Sequence, residues 1–190
     1  ITNDLSMRYA VRDSNIEASC IYINEVISAK KGNYMVFFPS YSFMGKVYDT
    51  YKELFDVSNI ILHSKGINEY EQAEITERFR TQSMVVLFTV VGGVFSEGID
   101  LPLEKLIGAV IIGTGIPQIS FERNIIKDFF DNKFNSGYDF SYKYPGFNKI
   151  LQSAGRVTYT RLFPEHWRGC VKIKNKDELV KEINKFWEAQ

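Results

Sequence analysis

The chain has 190 residues, of which 45% are hydrophobic and 15% aromatic, and this is enough to bury one sizeable core. Its 23 basic and 23 acidic residues cancel, which argues against strong nonspecific binding to nucleic acid. No apolar run approaches the roughly 20 residues that cross a bilayer, and no signal-peptide pattern is found. We therefore expect one domain over residues 1–190, in the cytoplasm and without a membrane partner.

The charges are unevenly distributed along the chain. Residues 49–104 contain ten acidic and four basic side chains, whereas residues 140–176 contain eight basic and one acidic. A basic segment of this kind can meet phosphate groups. The simpler interpretation is a solvated face, because such runs are common on protein surfaces.

The cysteines and histidines give no sign of a metal or catalytic site. Cys20 and Cys170 are far apart and belong to no metal-ligand pattern, so we expect reduced, structural thiols. His63 and His166 have no partners at catalytic spacing and are expected to be surface or structural residues.

Helical and strand patterns alternate along the chain. Ser40 or Ser42 is a plausible cap for the second helix, and Asn68 with Glu71 forms a candidate capping box for the third. Helices are predicted over residues 15–31, 39–55, 68–80, 119–134, 142–157 and 176–187, and strands over residues 34–38, 59–63, 84–91 and 106–114. This alternation predicts an α/β fold with a mostly parallel sheet flanked by helices.

Ligands of such sheets bind beyond the carboxyl ends of the strands, which directs attention to three loops. The loop after the third strand, "GGVFSEGIDLP", places the Ser96 hydroxyl and the carboxylates of Glu97 and Asp100 at that edge. A glycine-rich turn is the alternative. The spacing of Gly93 and Gly98 resembles that of a P-loop. However, Ile99 and Asp100 occupy the positions where lysine and serine or threonine are required.

The other two loops carry weaker signals. "FFPSY" ends the first strand, and the amides of the following helix start, with the Ser40 hydroxyl, are able to bind a phosphate. Simple helix capping is the alternative. "GTGIPQ" follows the fourth strand and is interpreted as a strand-exit turn, because it lacks the third glycine of a dinucleotide fingerprint.

Three stretches taken together resemble motifs IV, V and VI of the DinG/XPD-like family of superfamily 2 DNA helicases: "YMVFFPSY", "GGVFSEGIDLPLEKLIGAVIIGTGIPQ" and "YPGFNKILQSAGRV". "LSMRYAVRDSN" resembles the segment that precedes this domain, so the resemblance covers about residues 5–157. It implies a RecA-like fold and the role of the second, C-terminal motor domain. The alternative is a stand-alone RecA-like module that binds or regulates without catalysis.

The resemblance also implies cofactors and partners. ATP and Mg²⁺ would be held mainly by an N-terminal P-loop domain of the same protein, which this sequence lacks. An iron–sulfur cluster, present in many members of the family, would also lie outside this chain. The partners would be that P-loop domain and single-stranded or forked DNA, in a bacterial cytoplasm.

The resemblance assigns roles around the nucleotide. Glu97, Gly98 and Asp100 would lie at the nucleotide cleft and couple it to the DNA path. Gln152 and Arg156 would face the γ-phosphate, where the planar, permanently charged arginine fork stabilises phosphoryl transfer. The alternative for this pair is an ordinary polar helix end that terminates at Gly155.

A second set of residues would contact nucleic acid. Phe38, Ser40 and Tyr41 would lie near the single strand, with rings for stacking and with amides and a hydroxyl for phosphates. Ser96 is assigned to the same path.

The sequence departs from the family after Arg156. Family members continue with a second arginine and a further strand, whereas here Val157 is followed directly by Thr158 and then by "YTRLFPEHW", which resembles a later segment. Either a deletion removed the intervening element, or a segment present in the natural protein is missing between these two residues. We favour the second, because the sequence resumes in family register, and Arg161 is not counted as the second arginine.

Overall fold

The computed structural model describes residues 5–96, 106–158 and 176–188. Four strands form one parallel sheet in the order β2-β3-β1-β4: β1 (Asn33–Phe38), β2 (Ile60–Leu62), β3 (Val86–Val90) and β4 (Leu106–Ile111). The helices are α1 (Ile16–Ser28), α2 (Tyr41–Leu54), α3 (Glu69–Thr81), α4 (Phe121–Phe134), α5 (Tyr144–Thr158) and α6 (Lys176–Glu188). A 3-10 helix, Arg12–Asn15, precedes α1, and a π-helix, Asp139–Lys143, precedes α5. The predicted α/β fold with a parallel sheet is confirmed.

Side-chain caps set the starts of two predicted helices. The Ser40 hydroxyl accepts a hydrogen bond from the Phe43 amide at 3.2 Å, so Ser40, not Ser42, caps α2. Asn68 and Glu71 each accept a bond from the other's backbone N–H at 2.9 Å, which confirms the capping box of α3.

Strand β1 divides the core into two halves. All six of its residues are buried. Because side chains alternate along a strand, Tyr34, Val36 and Phe38 enter a cluster with α1 and α2, whereas Met35 and Phe37 enter a cluster with α3 on the other face. Burial of each such side chain contributes about 1.5–3 kcal/mol, so β1 anchors both layers of helices.

Cys20 is one of the residues in the first cluster. Its thiol is free, is fully buried and contacts the Val47 carbonyl oxygen at 3.4 Å. Burial raises the pKa of Cys20 to about 11. The prediction of a reduced structural thiol is confirmed for Cys20, whereas Cys170 and His166 lie outside the described residues.

Helix α4 packs on the π-helix and exposes much of its apolar surface. None of the residues of α4 is fully buried among the described elements, and Phe121, Ile125 and Phe129 form an apolar stripe at a spacing of four residues. The rings of Phe130 and Phe140 stack with centroids 4.4 Å apart and join α4 to the π-helix. No helix in the described ranges is both long and apolar enough to cross a membrane.

Helix α5 does not end where one alternative from the sequence placed its end, at Gly155, but runs on to Thr158. A Cβ at Gly155 would have no neighbour within 4 Å, so the space around this position does not oblige the helix to stop. The predictions of a single domain and of a missing segment near Val157 and Thr158 stay predictions.

We predict opposite stability changes for two glycine-to-alanine substitutions. A Cβ at Gly108 in β4 would lie 2.5 Å from the buried Tyr34 ring, so Gly108→Ala should lower the free energy of unfolding by about 1–3 kcal/mol. Gly45 in α2 has no neighbour within 4 Å, so Gly45→Ala should raise it by about 0.5–1 kcal/mol. Urea denaturation of the two variants measures both changes, and equal effects would contradict the tight contact at Gly108.

Candidate functional site

The carboxyl ends of β1, β3 and β4 lie side by side. Backbone bonds carry the sheet slightly past the strand ends, because Val91 N–H donates to Phe38 O at 2.9 Å and Ile112 N–H donates to Phe37 O at 2.8 Å. The three loops singled out in the sequence therefore leave the sheet at one edge. This edge is where ligands of parallel α/β sheets bind.

The loop after β3 is held as a tight turn by the Ser96 hydroxyl. This oxygen accepts from the Gly92 amide at 3.1 Å and donates to Val90 O at 3.2 Å. Gly92 has a φ of +71°, which favours glycine. The Ser96 residue is only 2% exposed and its side chain holds the turn, and its predicted contact with nucleic acid stays a prediction.

Helix α5 approaches the loop after β4 very closely. A Cβ at Gly115 would lie 2.9 Å from the Gly146 carbonyl oxygen, and a Cβ at Gly146 would lie 3.1 Å from the Ile116 amide nitrogen. Gly115 also has a positive φ of 62°. Larger residues at these two positions would push the helix away from the loop, so both glycines fix where α5 sits.

The same helix reaches the loop after β3. The Ser153 hydroxyl donates to Lys149 O at 2.9 Å and lies 3.3 Å from Ser96 Oγ. Ser153 is fully buried at this contact. Motif V and motif VI, predicted from separate stretches of sequence, are therefore in direct contact.

Helix α5 also contains the predicted phosphate-facing residues. Gln152 is exposed, and Arg156 lies one turn later in the same helix, although its side chain is outside the described part. Sequence reasoning missed Lys149, whose Nζ lies 3.2 Å from the position of a Cβ at Gly92. Lys149, Gln152 and Arg156 are spaced i, i+3 and i+7, which places them on one helix face. This spacing is visible in the sequence and could have identified Lys149.

The remaining cofactor-binding predictions in motif V are not described by the structure. Glu97, Gly98 and Asp100 all fall between the described ranges, directly after the Ser96 turn. Their assignment to the nucleotide cleft stays a prediction.

The motif IV residues differ in what they offer to a ligand. Phe38 is fully buried and its ring lies 5.0 Å from that of Phe88, so the ring has no exposed surface for base stacking. Its predicted place near the single strand stays a prediction. The Ser40 hydroxyl caps α2, which confirms the capping alternative and leaves a phosphate contact as a proposal. Tyr41 is half-buried, and burial raises the pKa of its hydroxyl, which therefore stays protonated as a donor.

His63 is a structural residue at the same edge, directly after β2. It is 1% exposed, and its Nδ1 lies 2.8 Å from the Thr89 hydroxyl oxygen. Its ring meets Tyr41 edge-on with centroids 5.4 Å apart and Phe95 with centroids 5.0 Å apart. Burial lowers the pKa of His63, so the imidazole is neutral near pH 7.

The fold and this edge agree with a match to a known protein family. The model of the helicase C-terminal domain matches residues 23–161 of the chain, which is more than half of its length. The chain belongs to the family of helicase C-terminal domains. The prediction of a C-terminal helicase domain is therefore confirmed.

Similar proteins support this assignment. A probable ATP-dependent helicase of Methanocaldococcus jannaschii is 30% identical over 124 residues, which cover 62% of this chain and 18% of that protein. A solved XPD helicase superposes with a TM-score of 0.65 at 23% identity and covers 81% of this chain and 27% of its own. Xpd4 from S. tokodaii superposes with a TM-score of 0.57 at 16% identity, over 98% of this chain and 35% of its own.

The chain covers only part of the length of the proteins to which it is similar. It spans about a fifth of the curated relative and about a third of the solved structures. At these identities the structural likeness establishes a RecA-like fold, which confirms the predicted fold class.

We predict that the two serines at the motif V–VI contact differ in importance. Ser96→Ala removes the acceptor of the Gly92 amide and should lower the free energy of unfolding by about 1–3 kcal/mol. Ser153→Ala removes a donor that mainly bonds its own helix and should cost less than about 1 kcal/mol. Chemical denaturation compares them, and a larger loss for Ser153→Ala would contradict this order.

The buried His63 should make stability depend on pH. Its folded pKa lies below the ordinary 6.5, so the unfolded chain binds the proton more tightly and stability is lost as pH falls below 6.5. The loss due to His63 should be less than about 1.4 kcal/mol per pH unit. His63→Gln, which does not titrate, should show a smaller fall between about pH 7.5 and about pH 5.5 in urea denaturation. Equal pH dependence in both proteins would contradict the burial effect.

Proposed function

We propose that this chain is the second motor domain of an ATP-dependent DNA helicase. It closes over ATP that a P-loop domain of the same protein binds, and it couples hydrolysis to movement along single-stranded or forked DNA. The single observation that carries the proposal is the position of α5. Close contacts at Gly115, Gly146 and Ser153 hold this helix against the ligand-binding edge while it presents Gln152 to solvent.

The side chains on this face suit a triphosphate that approaches from another domain. Arg156 supplies a permanently charged, planar fork that matches phosphate oxygens, and Gln152 supplies amide donors. Lys149 adds a cation beside Gly92 on the same face. The sequence contains no P-loop, so the first motor domain would hold the phosphates and Mg²⁺. The groups on α5 would complete that site from the other side.

Motif V connects this face to the rest of the edge. The Gly92–Ser96 turn touches α5 through Ser153, and Glu97, Gly98 and Asp100 follow it directly in sequence. In the proposal these three residues line the nucleotide cleft. A shift of α5 on closure would then move the turn, because the two are in contact.

The DNA path lies at the end of β1 in this proposal. Tyr41 is half-buried at the start of α2, and the first amides of that helix, with Ser40, suit a phosphate of the strand. Stacking of bases on Phe38 is not part of the proposal, because its ring is buried. An iron–sulfur cluster, where the protein has one, belongs to the part outside this chain.

The proposal is tested by substitutions on α5 in the full-length protein that contains this chain. Arg156→Ala should lower kcat for ATP hydrolysis in the presence of single-stranded DNA by about 10³-fold, because the transition-state charge loses its partner. Gln152→Ala should also lower kcat. Leu151→Ala is the matched control, since Leu151 is exposed on the same helix outside the face of Lys149, Gln152 and Arg156.

Two results would contradict the proposal. One is an Arg156→Ala protein that keeps a kcat within about tenfold of the parent. The other is an unaltered full-length protein without DNA-stimulated ATP hydrolysis, which would favour a stand-alone binding or regulatory module. The chain alone should not hydrolyse ATP appreciably, because the P-loop half is absent.

A further inference from the structure

His63 lies between the two loops that the proposed function uses for different ligands. On one side its ring meets Tyr41, the first residue of α2 after the DNA-side loop, with centroids 5.4 Å apart. On the other side it meets Phe95, in the turn that leads to the nucleotide-side residues, with centroids 5.0 Å apart. A Cβ at Gly93 in the same turn would lie 3.8 Å from His63 Cε1.

Hydrogen-bond contacts with β3 hold His63 in place. Its Nδ1 lies 2.8 Å from the hydroxyl oxygen of Thr89, a fully buried residue of β3, and its backbone N–H donates to Phe88 O at 2.9 Å. Phe95 is also fully buried. Because protein interiors are close-packed, a displacement of Phe95 would press on the His63 ring, which also contacts Tyr41.

One nitrogen of the His63 ring, Nε2, is buried without a hydrogen-bond partner among the described residues. An unsatisfied buried nitrogen costs free energy that an apolar ring at the same place would not cost. What the histidine adds over an apolar ring is the contact of Nδ1 with the Thr89 hydroxyl, which orients the ring.

We propose that His63 is a positioning residue that couples the Gly92–Ser96 turn to Tyr41, so that the nucleotide state alters the affinity for single-stranded DNA. The inference rests on the proposed function. The ring contacts carry the coupling, and the Thr89 bond orients the ring. His63 touches neither ligand, since it is 1% exposed.

The test is the dissociation constant for a fluorescent single-stranded oligonucleotide, measured by anisotropy on the full-length protein. Each protein is measured without nucleotide and with a non-hydrolysable ATP analogue, and the ratio of the two constants reports the coupling. In the unaltered protein the ratio should depart from one by about 5-fold or more.

Two variants that avoid a cavity separate the ring contacts from the hydrogen bond. His63→Phe keeps a ring between Tyr41 and Phe95 but cannot bond Thr89, and it should keep a ratio within about twofold of the unaltered protein. His63→Gln keeps an amide for Thr89 but has no ring, and its ratio should fall to about one. Thr89→Val, which removes only the hydroxyl partner, should behave like His63→Phe.

The results distinguish a coupling role of His63 from a purely structural role. A purely structural role would change the melting temperature of the variants and leave the ratio unchanged, and this overturns the inference. Loss of coupling in His63→Phe with retention in His63→Gln also overturns it, as does an unaltered protein that binds DNA and hydrolyses ATP with a ratio of one. An unaltered protein that neither binds DNA nor hydrolyses ATP overturns the proposed function instead.

Discussion

The pairing of β1 with a strand on each side is the constraint on which the rest of the structure depends. β3 and β4 both bond to β1 in parallel, so their carboxyl ends are brought to one edge. The alternating side chains of β1 also anchor the helices on both faces of the sheet. The loops that follow these strands are therefore placed next to one another by the sheet, although they are far apart in sequence.

The local elements could be predicted from the sequence because their causes are local. A continuous apolar run marks β1, and Asn68 with Glu71 marks the start of α3. The roles of single side chains could not be predicted in the same way. Phe38 looked available for stacking because it ends a strand, but an interior strand is covered on both faces up to its last residue. The burial of Ser96 follows from a turn that only the folded chain defines.

The site combines residues whose proximity is a tertiary property. Lys149 could have been found from its helical spacing to Gln152, yet only the docking of α5 shows that it lies beside Gly92. His63 carried no sequence signal, because its contacts come from three other segments of the chain. Motif spacing identified the family, and the sheet and the close approach of α5 determine which of the predicted residues can act together.

The interior position of β1 has a consequence for the synthesis of the protein. β1 ends at Phe38, but its partners begin only at Val86 and Leu106. At about 5–20 residues per second, the ribosome releases this apolar strand several seconds before either neighbour exists. During that interval both of its hydrogen-bonding edges are open to other nascent chains. The strand that organises the finished domain is therefore an unpaired apolar segment for several seconds while the domain is being made.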